Sequence, residues 1–497
     1  MTAISSLSKA TQAAAYAPVA ASLPARASPS VASDPAPPSA IVRLSAAGLA
    51  AANAAPTDAA APPLSTAARY KDVGTSLLER LGSGTVAALG PDTLPDQVDN
   101  RFSLSVVTAS GKHVDLALAN EGDDMIVQVR ADGDLGDDER AALAGLAKGF
   151  QAALDGMAHE PPQIRLGGLA DYDKTRLASV DLQAEVALPG IDAGTQKLDV
   201  HLGADGRKVG IDGPAGKADV AIDTDQLALL GTPRQQARAI DAYLKQFDQA
   251  AARGRADTGL MTMFKDAFAA VSDTAGAAAQ AQAQVAASRW ALSQDDHAVL
   301  TGLADFTASV TQTPQFGNPL RRDEVDGFAY SVTQATRTSG ATRSDRGVVQ
   351  AQEAHLSAQF HQPLKGDGGG RFQVPREEQN YSWHQIDDAA DSRVELGYED
   401  GQVRTARLTQ SATQSERIRD YVLGKLQADH TVPAGVRLAR DLVAALSPYQ
   451  TGPDVGGRAT DTPEARERRR QAALETLGAN VVLLGTPAEL AARDARL

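Results

Sequence analysis

Apolar and polar residues alternate with a period of two along three consecutive runs near the start of the chain. The apolar members are Phe102, Leu104, Val106, Val114, Leu116, Leu118, Met125, Val127 and Val129. Turn residues, Ser110-Gly111 and Asn120-Glu121-Gly122, separate the runs. A period of two places alternate side chains on one face of a strand, so the pattern predicts an antiparallel meander with one face buried.

A helical pattern follows this first meander and also a second one. A helix is predicted from about Asp137, with an apolar stripe through Leu143, Leu146, Phe150 and Leu154. Short strands are predicted at 182–188, 198–202, 208–211 and 217–222. Thr232-Pro233 then opens another helix, with Gln235 completing a capping box. The sequence therefore predicts an α+β fold, in which antiparallel β-meanders are each followed by amphipathic helices.

The C-terminal part repeats the alternation over longer runs, beginning near Asp326. Val348, Ala354, Leu356, Ala358 and Phe360 are expected on the buried face of one long strand, and Glu353, His355, Ser357, Gln359 and His361 on the opposite face. A hairpin is predicted across Glu399-Asp400-Gly401. Helices are predicted at 414–427, 434–446, 463–477 and 487–496.

Three regions result from this pattern. Residues 1–66 are rich in Ala, Pro and Ser and form a disordered tail, because they cannot bury enough apolar surface to offset the entropy of ordering. Residues 67–290 form a first α+β region, and residues 291–497 form a second one. The tail has two interpretations, a flexible linker or an uncleaved export signal, and Ile41–Ser45 is a short element that could dock on the body or on a chaperone. The corresponding location is the cytoplasm, or outside the cell by a route without a cleaved signal peptide.

Charge and composition exclude several classes of protein. The net charge of −14 weighs against sequence-independent nucleic-acid binding and against docking on an anionic membrane. No apolar run approaches the roughly 18 residues of a membrane-spanning helix. The absence of cysteine excludes disulfides, thiolate metal sites and cysteine nucleophiles.

An acidic run offers the one candidate metal site, formed by Asp132, Asp134, Asp137 and Asp138. A calcium loop of the EF-hand type needs an oxygen ligand at position 5, Gly at position 6 and Glu at position 12. Counted from Asp132, these positions hold Gly136, Asp137 and Leu143. A turn followed by an acidic helix start explains the run equally well, so the sequence predicts no metal and no other cofactor.

No catalytic motif is present. His355 and His361 are about 20 Å apart along a strand and cannot share a metal ion. The loop Gly366–Gly370 lacks the Lys-Ser/Thr of a phosphate-binding loop. Arg466, Arg468, Arg469 and Arg470 are interpreted as a solvated helix face, with an acidic partner surface as the alternative.

The leading hypothesis is a non-catalytic binding or interaction protein whose partner is another protein or a chaperone. Glu353, His355, Gln359 and His361, on the polar face of one strand, are the candidate interaction residues. Two alternatives stay open. One is a hydrolase whose site is assembled from distant carboxylates, and the other is a carrier of a small apolar ligand on a concave sheet.

Overall fold

A computed structural model describes residues 44–45, 65–84, 95, 98–188, 194–224, 229–273, 292–342, 344–364, 379–443, 464, 468 and 481–494. The strands are β1 Leu44–Ser45, β2 Asn100–Thr108, β3 His113–Glu121, β4 Asp124–Ala131, β5 Leu177–Leu188, β6 Gly194–Gly203, β7 Arg207–Gly213, β8 Gly216–Ile222, β9 Phe306–Gln312, β10 Gln315–Asn318, β11 Arg321–Ser339, β12 Gly347–Pro363, β13 Tyr381–Glu399, β14 Gln402–Val422 and β15 Lys425–Asp441. The helices are α1 Thr66–Tyr70, α2 Val73–Gly82, α3 Asp137–Gly145, α4 Ala147–Met157, α5 Gly167–Ala170, α6 Pro233–Gly254, α7 Thr258–Ser272, α8 Gln294–Ala298 and α9 Pro487–Asp494.

The strands form one large antiparallel sheet in the order β1-β4-β3-β2-β5-β6-β7-β8-β9-β11-β12-β13-β14-β15, with β10 paired to β11. The predicted meanders are confirmed, since most neighbours in the sheet are also neighbours in sequence. β8 pairs with β9 along its whole length, for example Val220 with Ala308. The sheet therefore crosses the predicted boundary near residue 290 without interruption, and the division into two regions there stays a prediction.

The prediction that every meander is followed by helices is wrong for the C-terminal part. α3 and α4 follow β4, and α6 and α7 follow β8, but the described residues between the start of β11 and the end of β15 contain no helix. Residues 414–427 and 434–446 were predicted as helices, yet they lie largely in β14 and β15. The last predicted helix is confirmed as α9.

The error at 414–427 has a physical cause. Ile418, Tyr421, Val422 and Leu426 recur at helical spacing among good helix formers. The first residues of β13 instead pair with this segment in a ladder, in which Tyr381 lies opposite Tyr421 and His384 opposite Ile418. Non-local backbone pairing thus overrides local propensity.

The core lies on the inner face of the sheet, beneath the helices. Tyr243 and Phe247 on α6 pack with Phe264 and Phe268 on α7 and with Phe306 on β9, with ring centroids 4.9 to 6.4 Å apart. The predicted alternation on β12 is confirmed at most positions: Val348, Leu356, Ala358 and Phe360 are buried, and Glu353, His355 and Ser357 are exposed.

Part of the predicted tail joins the sheet. Leu44 and Ser45 form β1 and pair with Met125 and Asp124 on β4. The rest of the tail up to residue 64 lies outside the described residues, as do the Ala/Gln-rich stretch 274–289, the loop Gly366–Gly370 and most of the predicted helix 463–477 with its arginines. None of the helices described here is both long and apolar enough to span a membrane.

Candidate functional site

The acidic run is used in local ion pairs and hydrogen bonds. Asp132 accepts a hydrogen bond from the His113 amide at 2.6 Å, Asp137 pairs with Arg140, and Asp138 pairs with Arg176 at 2.8 Å. Asp134 offers its backbone carbonyl to Lys112. Over the part of the chain that the structure describes, no three His, Asp or Glu side chains converge in a way that could hold a metal ion.

The four candidate interaction residues share one strand face but not one environment. Glu353 and His355 are exposed on the outer face of the sheet, and Gln359 is half-buried there. The His355 imidazole lies 2.8 Å from the carboxylate of Asp387 on β13. His361 is the exception, because it is buried.

His361 is buried because the start of β11 folds over it. β10 and the first residues of β11 form a separate small hairpin, and β11 begins to pair with β12 only at Gly327. The Asp326 carboxylate accepts a hydrogen bond from the His361 backbone amide at 3.0 Å. The same carboxylate lies 2.6 Å from Nδ1 of the His361 ring. On the other side of the ring, Nε2 lies 3.4 Å from Glu324, which is fully buried. Burial alone lowers the pKa of His361, but the hydrogen bonds to Asp326 and Glu324 outweigh it and raise that pKa.

Glu324 connects this histidine to an aromatic cluster on the outer face. Tyr381 donates a hydrogen bond to Glu324 at 2.5 Å, and Arg321 and Arg419 each approach that carboxylate at 3.9 Å. Burial raises the pKa of Glu324, yet the hydrogen bonds from its neighbours lower it overall. Tyr381 stacks on Tyr421 at 4.9 Å. We refer to Glu324, Asp326, His361, Tyr381, Tyr421, Arg321 and Arg419 as the buried clasp.

The buried clasp lies beside two turns that carry exposed apolar side chains. Leu320, Val422, Leu423 and Leu426 are exposed by 47, 39, 54 and 51%. Val432, further along β15, is the one other large apolar side chain exposed to this degree among the described residues. Leu320 lies in the β10–β11 turn, and the other three lie at the β14–β15 turn. Arg321 joins the two turns by donating to the Gly424 carbonyl at 2.9 Å. We call these four side chains the apolar tip.

Neighbouring groups hold the β14–β15 turn in place. The Leu423 amide donates to Asn380 Oδ1 at 2.7 Å, and the Gly424 amide donates to the Gln379 carbonyl at 2.8 Å. The guanidinium of Arg321 lies over the Tyr421 ring at 4.0 Å. These contacts fix the backbone of the turn, while the Leu423 side chain projects from it.

Leu423 occupies a backbone conformation that leucine rarely adopts. Its φ is 51° and that of Gly424 is 63°, so both central residues of this two-residue turn are left-handed. Such turns favour Asn-Gly or Asp-Gly, because a leucine Cβ crowds the backbone there. The β13–β14 turn follows this preference with Asp400 and Gly401, at φ of 53° and 76°. Leucine at position 423 is therefore an unfavourable choice for the fold alone.

Two distant carboxylates do meet on the inner face. Asp388 on β13 and Glu416 on β14 both contact Arg253 of α6, at 2.5 and 3.3 Å. His384 lies 2.8 Å from Glu416. Burial lowers the pKa of Arg253, but the hydrogen bond and charge of Asp388 outweigh it and raise that pKa. Because a guanidinium bridges the pair and keeps both carboxylates supplied with donors, the arrangement is that of a structural ion pair, and it lacks the unpaired acid that glycoside hydrolysis requires.

Little free space remains between α6 and the sheet at the position of Tyr330 and Leu356. A cavity of about 40 Å³ remains between α6 and β11 to β14, beside Gly485 and Thr486. Pockets for small ligands usually measure about 300 to 1,000 Å³. The space at this position is therefore too small for an apolar cargo molecule.

Sequence reasoning missed the apolar tip because it assigned residues 414–427 to a helix. The available signal was the pair Leu423-Gly424, a two-residue turn between segments of β-forming residues. Glu324 and Arg253 carried no local signal, since their closest partners, Tyr381 for Glu324 and Asp388 for Arg253, are tens of residues away.

Comparisons with protein-family models, with curated proteins and with solved structures gave no match to this chain.

Proposed function

We propose that the protein is a non-catalytic interaction protein and that the apolar tip is the surface that contacts its partner. The observation that carries the proposal is Leu423, an exposed leucine in a left-handed turn position where Asp or Asn would stabilise the fold better. An unfavourable residue held in a rigid, exposed place is typical of a residue kept for function.

The apolar tip has the features of a binding anchor. Its backbone is fixed by Asn380, Gln379 and Arg321, so little conformational freedom is lost when a partner binds. Leu320 and Leu426 are also exposed, in the two turns that Arg321 joins, and add apolar area to that of Leu423. Burial of such side chains contributes roughly 25 cal/mol per Å² of apolar area. A partner protein with a concave apolar pocket fits this shape and chemistry.

Exposed basic side chains near the apolar tip favour a partner whose apolar pocket is bordered by carboxylates. Arg322 and Lys425 are exposed beside Leu320 and Leu426, with Asp323 as a nearby exposed carboxylate. Charges at the rim of an interface steer association more than they add affinity. The class of partner is therefore a protein with an apolar pocket bordered by carboxylates.

Site-specific photo-crosslinking tests the proposal. A photoreactive phenylalanine analogue is placed at position 423 in one version of the chain and at position 400 in another, and each is irradiated in its native cells. Both positions lie in turns of the same type, at opposite ends of β14. We expect a discrete protein adduct from position 423 and none of that mass from position 400.

A second substitution separates binding from mere exposure. Leu320→Asn in the position-423 version should reduce the adduct severalfold, because it removes apolar area from the neighbouring turn. Val432→Asn, at an exposed position away from the turn, is the matched control and should leave the yield unchanged. Equal adducts from positions 423 and 400, or a yield insensitive to Leu320→Asn, would show that the apolar tip is not the contact surface.

A further inference from the structure

A chain of polar contacts connects His361 with the β14–β15 turn of the apolar tip. Nε2 of His361 lies 3.4 Å from Oε2 of Glu324, and the Tyr381 hydroxyl donates to that same oxygen at 2.5 Å. Arg321 donates through Nη1 to the Tyr381 hydroxyl at 3.1 Å and through Nη2 to the Gly424 carbonyl at 2.9 Å. The Glu324 and Arg321 side chains, bridged by the Tyr381 hydroxyl, therefore connect the imidazole with the backbone of the turn.

His361 is the member of the buried clasp whose charge changes near neutral pH. The described titratable and charged groups that face its ring, or the Glu324 carboxylate beside it, are Glu324, Asp326 and Arg321 from β11, Tyr381 from β13, and Arg419 and Tyr421 from β14. Burial raises the pKa of both tyrosines, so they stay neutral below about pH 9. Carboxylate and guanidinium groups keep their charge between about pH 6 and 9. A change of pH in this range therefore acts on the clasp through the imidazole.

Loss of the His361 proton changes what the imidazole presents to Glu324. Both ring nitrogens face a carboxylate, Nδ1 that of Asp326 at 2.6 Å and Nε2 that of Glu324 at 3.4 Å. The protonated ring can donate to both, whereas the neutral ring has one donor and one acceptor. The remaining hydrogen stays on Nδ1, because Asp326 is the closer partner, so Nε2 presents a lone pair to Glu324. The neutral ring therefore repels the carboxylate that the protonated ring attracts.

Glu324 has an unused acceptor that competes for Arg321. Its Oε1 is buried and has no hydrogen-bond donor among the described residues. Nε of Arg321 lies 3.9 Å from this oxygen, so an approach of about 1 Å would form a hydrogen bond. The guanidinium is planar and rigid, so its nitrogens move together and that approach displaces Nη2 from the Gly424 carbonyl. Nη2 of Arg419 lies at the same distance from Oε1 and is the competing donor.

We infer that His361 is a positioning residue for the apolar tip and that its protonation regulates partner binding, with tighter binding to the protonated form. The inference rests on the proposed function, because the surface that it regulates is the apolar tip. With a protonated imidazole, Arg321 stays on Gly424 and holds the two turns of the tip together. With a neutral imidazole, Glu324 recruits Arg321 and the turns lose that connection. A partner must then order the turns as it binds, which weakens its affinity.

Hydrogen–deuterium exchange of two matched turns tests the coupling in the isolated full-length chain. The Gly424 amide donates to the Gln379 carbonyl at 2.8 Å, and the Gly401 amide of the β13–β14 turn donates to the Ser344 carbonyl at 2.9 Å. We expect the protection factor of Gly424 to fall about three- to tenfold between about pH 6 and 9, since a shift of one pKa unit corresponds to a tenfold change. The midpoint should lie above about pH 6.5, because the pKa of His361 is raised. Protection factors are corrected for the intrinsic pH dependence of exchange, so that of Gly401 should stay constant.

Two variants interrupt the coupling at different places. His361→Gln removes the titrating group, so the protection factor of Gly424 should no longer depend on pH. Arg321→Met removes the responding group, so Gly424 should show low protection at every pH. His201→Gln is the matched control, because His201 also lies between two carboxylates, at 2.6 and 3.0 Å, but on β6. It should leave the response of Gly424 unchanged.

Photo-crosslinking at two pH values tests the consequence for the partner. The full chain with the photoreactive group at position 423 is irradiated in extracts of its native cells, brought to about pH 6 and about pH 8.5. We expect a severalfold higher yield of the protein adduct at the lower pH. The same chain with His361→Gln should lose this difference, which separates the effect from any pH dependence of the partner itself.

The two experiments distinguish failure of this inference from failure of the proposed function. A constant protection factor at Gly424, or an equal change in His361→Gln, would overturn the coupling; constancy would mean that Arg419 is the group that answers Glu324. Equal adduct yields at the two pH values would overturn the regulation of binding and leave the proposed function intact. The absence of any adduct from position 423 would overturn the proposed function and, with it, the consequence for binding, while a pH-dependent Gly424 would still establish the link between His361 and the turn.

Discussion

Leu423 and Asp400 occupy equivalent positions in two turns at opposite ends of β14, with φ of 51° and 53°. Aspartate suits this conformation because its side chain can bond to the nearby backbone, whereas leucine gains nothing comparable. The chain therefore uses the favourable residue at one end of the strand and the unfavourable one at the end that carries the apolar tip.

The first prediction follows from the contrast between Leu423 and Asp400. Leu423→Asn should raise the free energy of unfolding by about 0.5 to 1 kcal/mol, because Asn-Gly is preferred in such turns. Asp400→Leu should lower it by about 1 kcal/mol. Urea denaturation of the two variants beside the unmodified chain measures both values. A loss of stability on Leu423→Asn would mean that the leucine packs within its own molecule.

The second prediction follows from the register of β12, which places Phe360 on the buried face and Gln359 on the outer face. Phe360 is buried between the His384 ring, at 4.8 Å, and the Arg255 guanidinium, at 4.2 Å. Phe360→Ala should cost about 3 kcal/mol through lost burial and a cavity. Gln359→Ala, one residue away on the outer face, should change stability by less than about 0.5 kcal/mol. Equal costs in denaturant melts would mean that both faces of β12 are covered.

The third prediction concerns the protonation of His361 and its effect on stability. The pKa of His361 is raised in the folded state above its ordinary value of 6.5. Its contribution is therefore fully present below about pH 6.5 and is lost as the pH rises through the folded pKa. The stability difference between the unmodified chain and His361→Gln, measured by urea denaturation, should be larger at pH 5.5 than at pH 8.5.

The comparison of these two chains isolates that effect. The pKa of His201 is also raised, because hydrogen bonds to Asp205 and Asp181 outweigh its burial, but this contribution is common to both chains and cancels. A pH-independent cost of His361→Gln would mean that the imidazole stays neutral between Glu324 and Asp326.

The fourth prediction concerns a buried ion pair. Arg346 contacts Asp296 at 2.7 Å and lies over the Tyr398 ring at 3.5 Å, and Asp296 is fully buried. Arg346→Met should cost about 3 to 5 kcal/mol, because it leaves a buried carboxylate without its cation. Arg404→Met, which breaks an exposed pair with Glu399, should cost less than about 1 kcal/mol. Thermal or urea unfolding of the two variants measures both costs. Similar losses of stability would contradict the conclusion that the Arg346–Asp296 pair is buried and strongly stabilising.

The sequence alone determined where most strands lie and which of their faces is buried. Phe102, Leu104 and Val106 alternate in the sequence, and they are buried in β2 as that alternation requires. The start of α6 followed from Thr232 and Pro233, because the Thr232 side chain accepts from the Gln235 amide only three positions away. The predicted capping box is wrong in its other half, since the Gln235 side chain donates to the His297 and Leu300 carbonyls. These features are set by local chemistry, so a single sequence is enough to recognise them.

The tertiary structure decided the rest. Residues 414–427 have the spacing of a helix, but the ladder offered by β13 makes them a strand and thereby creates the apolar tip. His361 shares its strand face with exposed residues, yet the β10–β11 hairpin buries it against Glu324. The carbonyls of Val481 and Leu483 accept hydrogen bonds from Gln246, Gln352 and Ser392, which lie far apart in the chain. The free energies of these contacts depend on which distant segments meet, and no local pattern in the sequence encodes that.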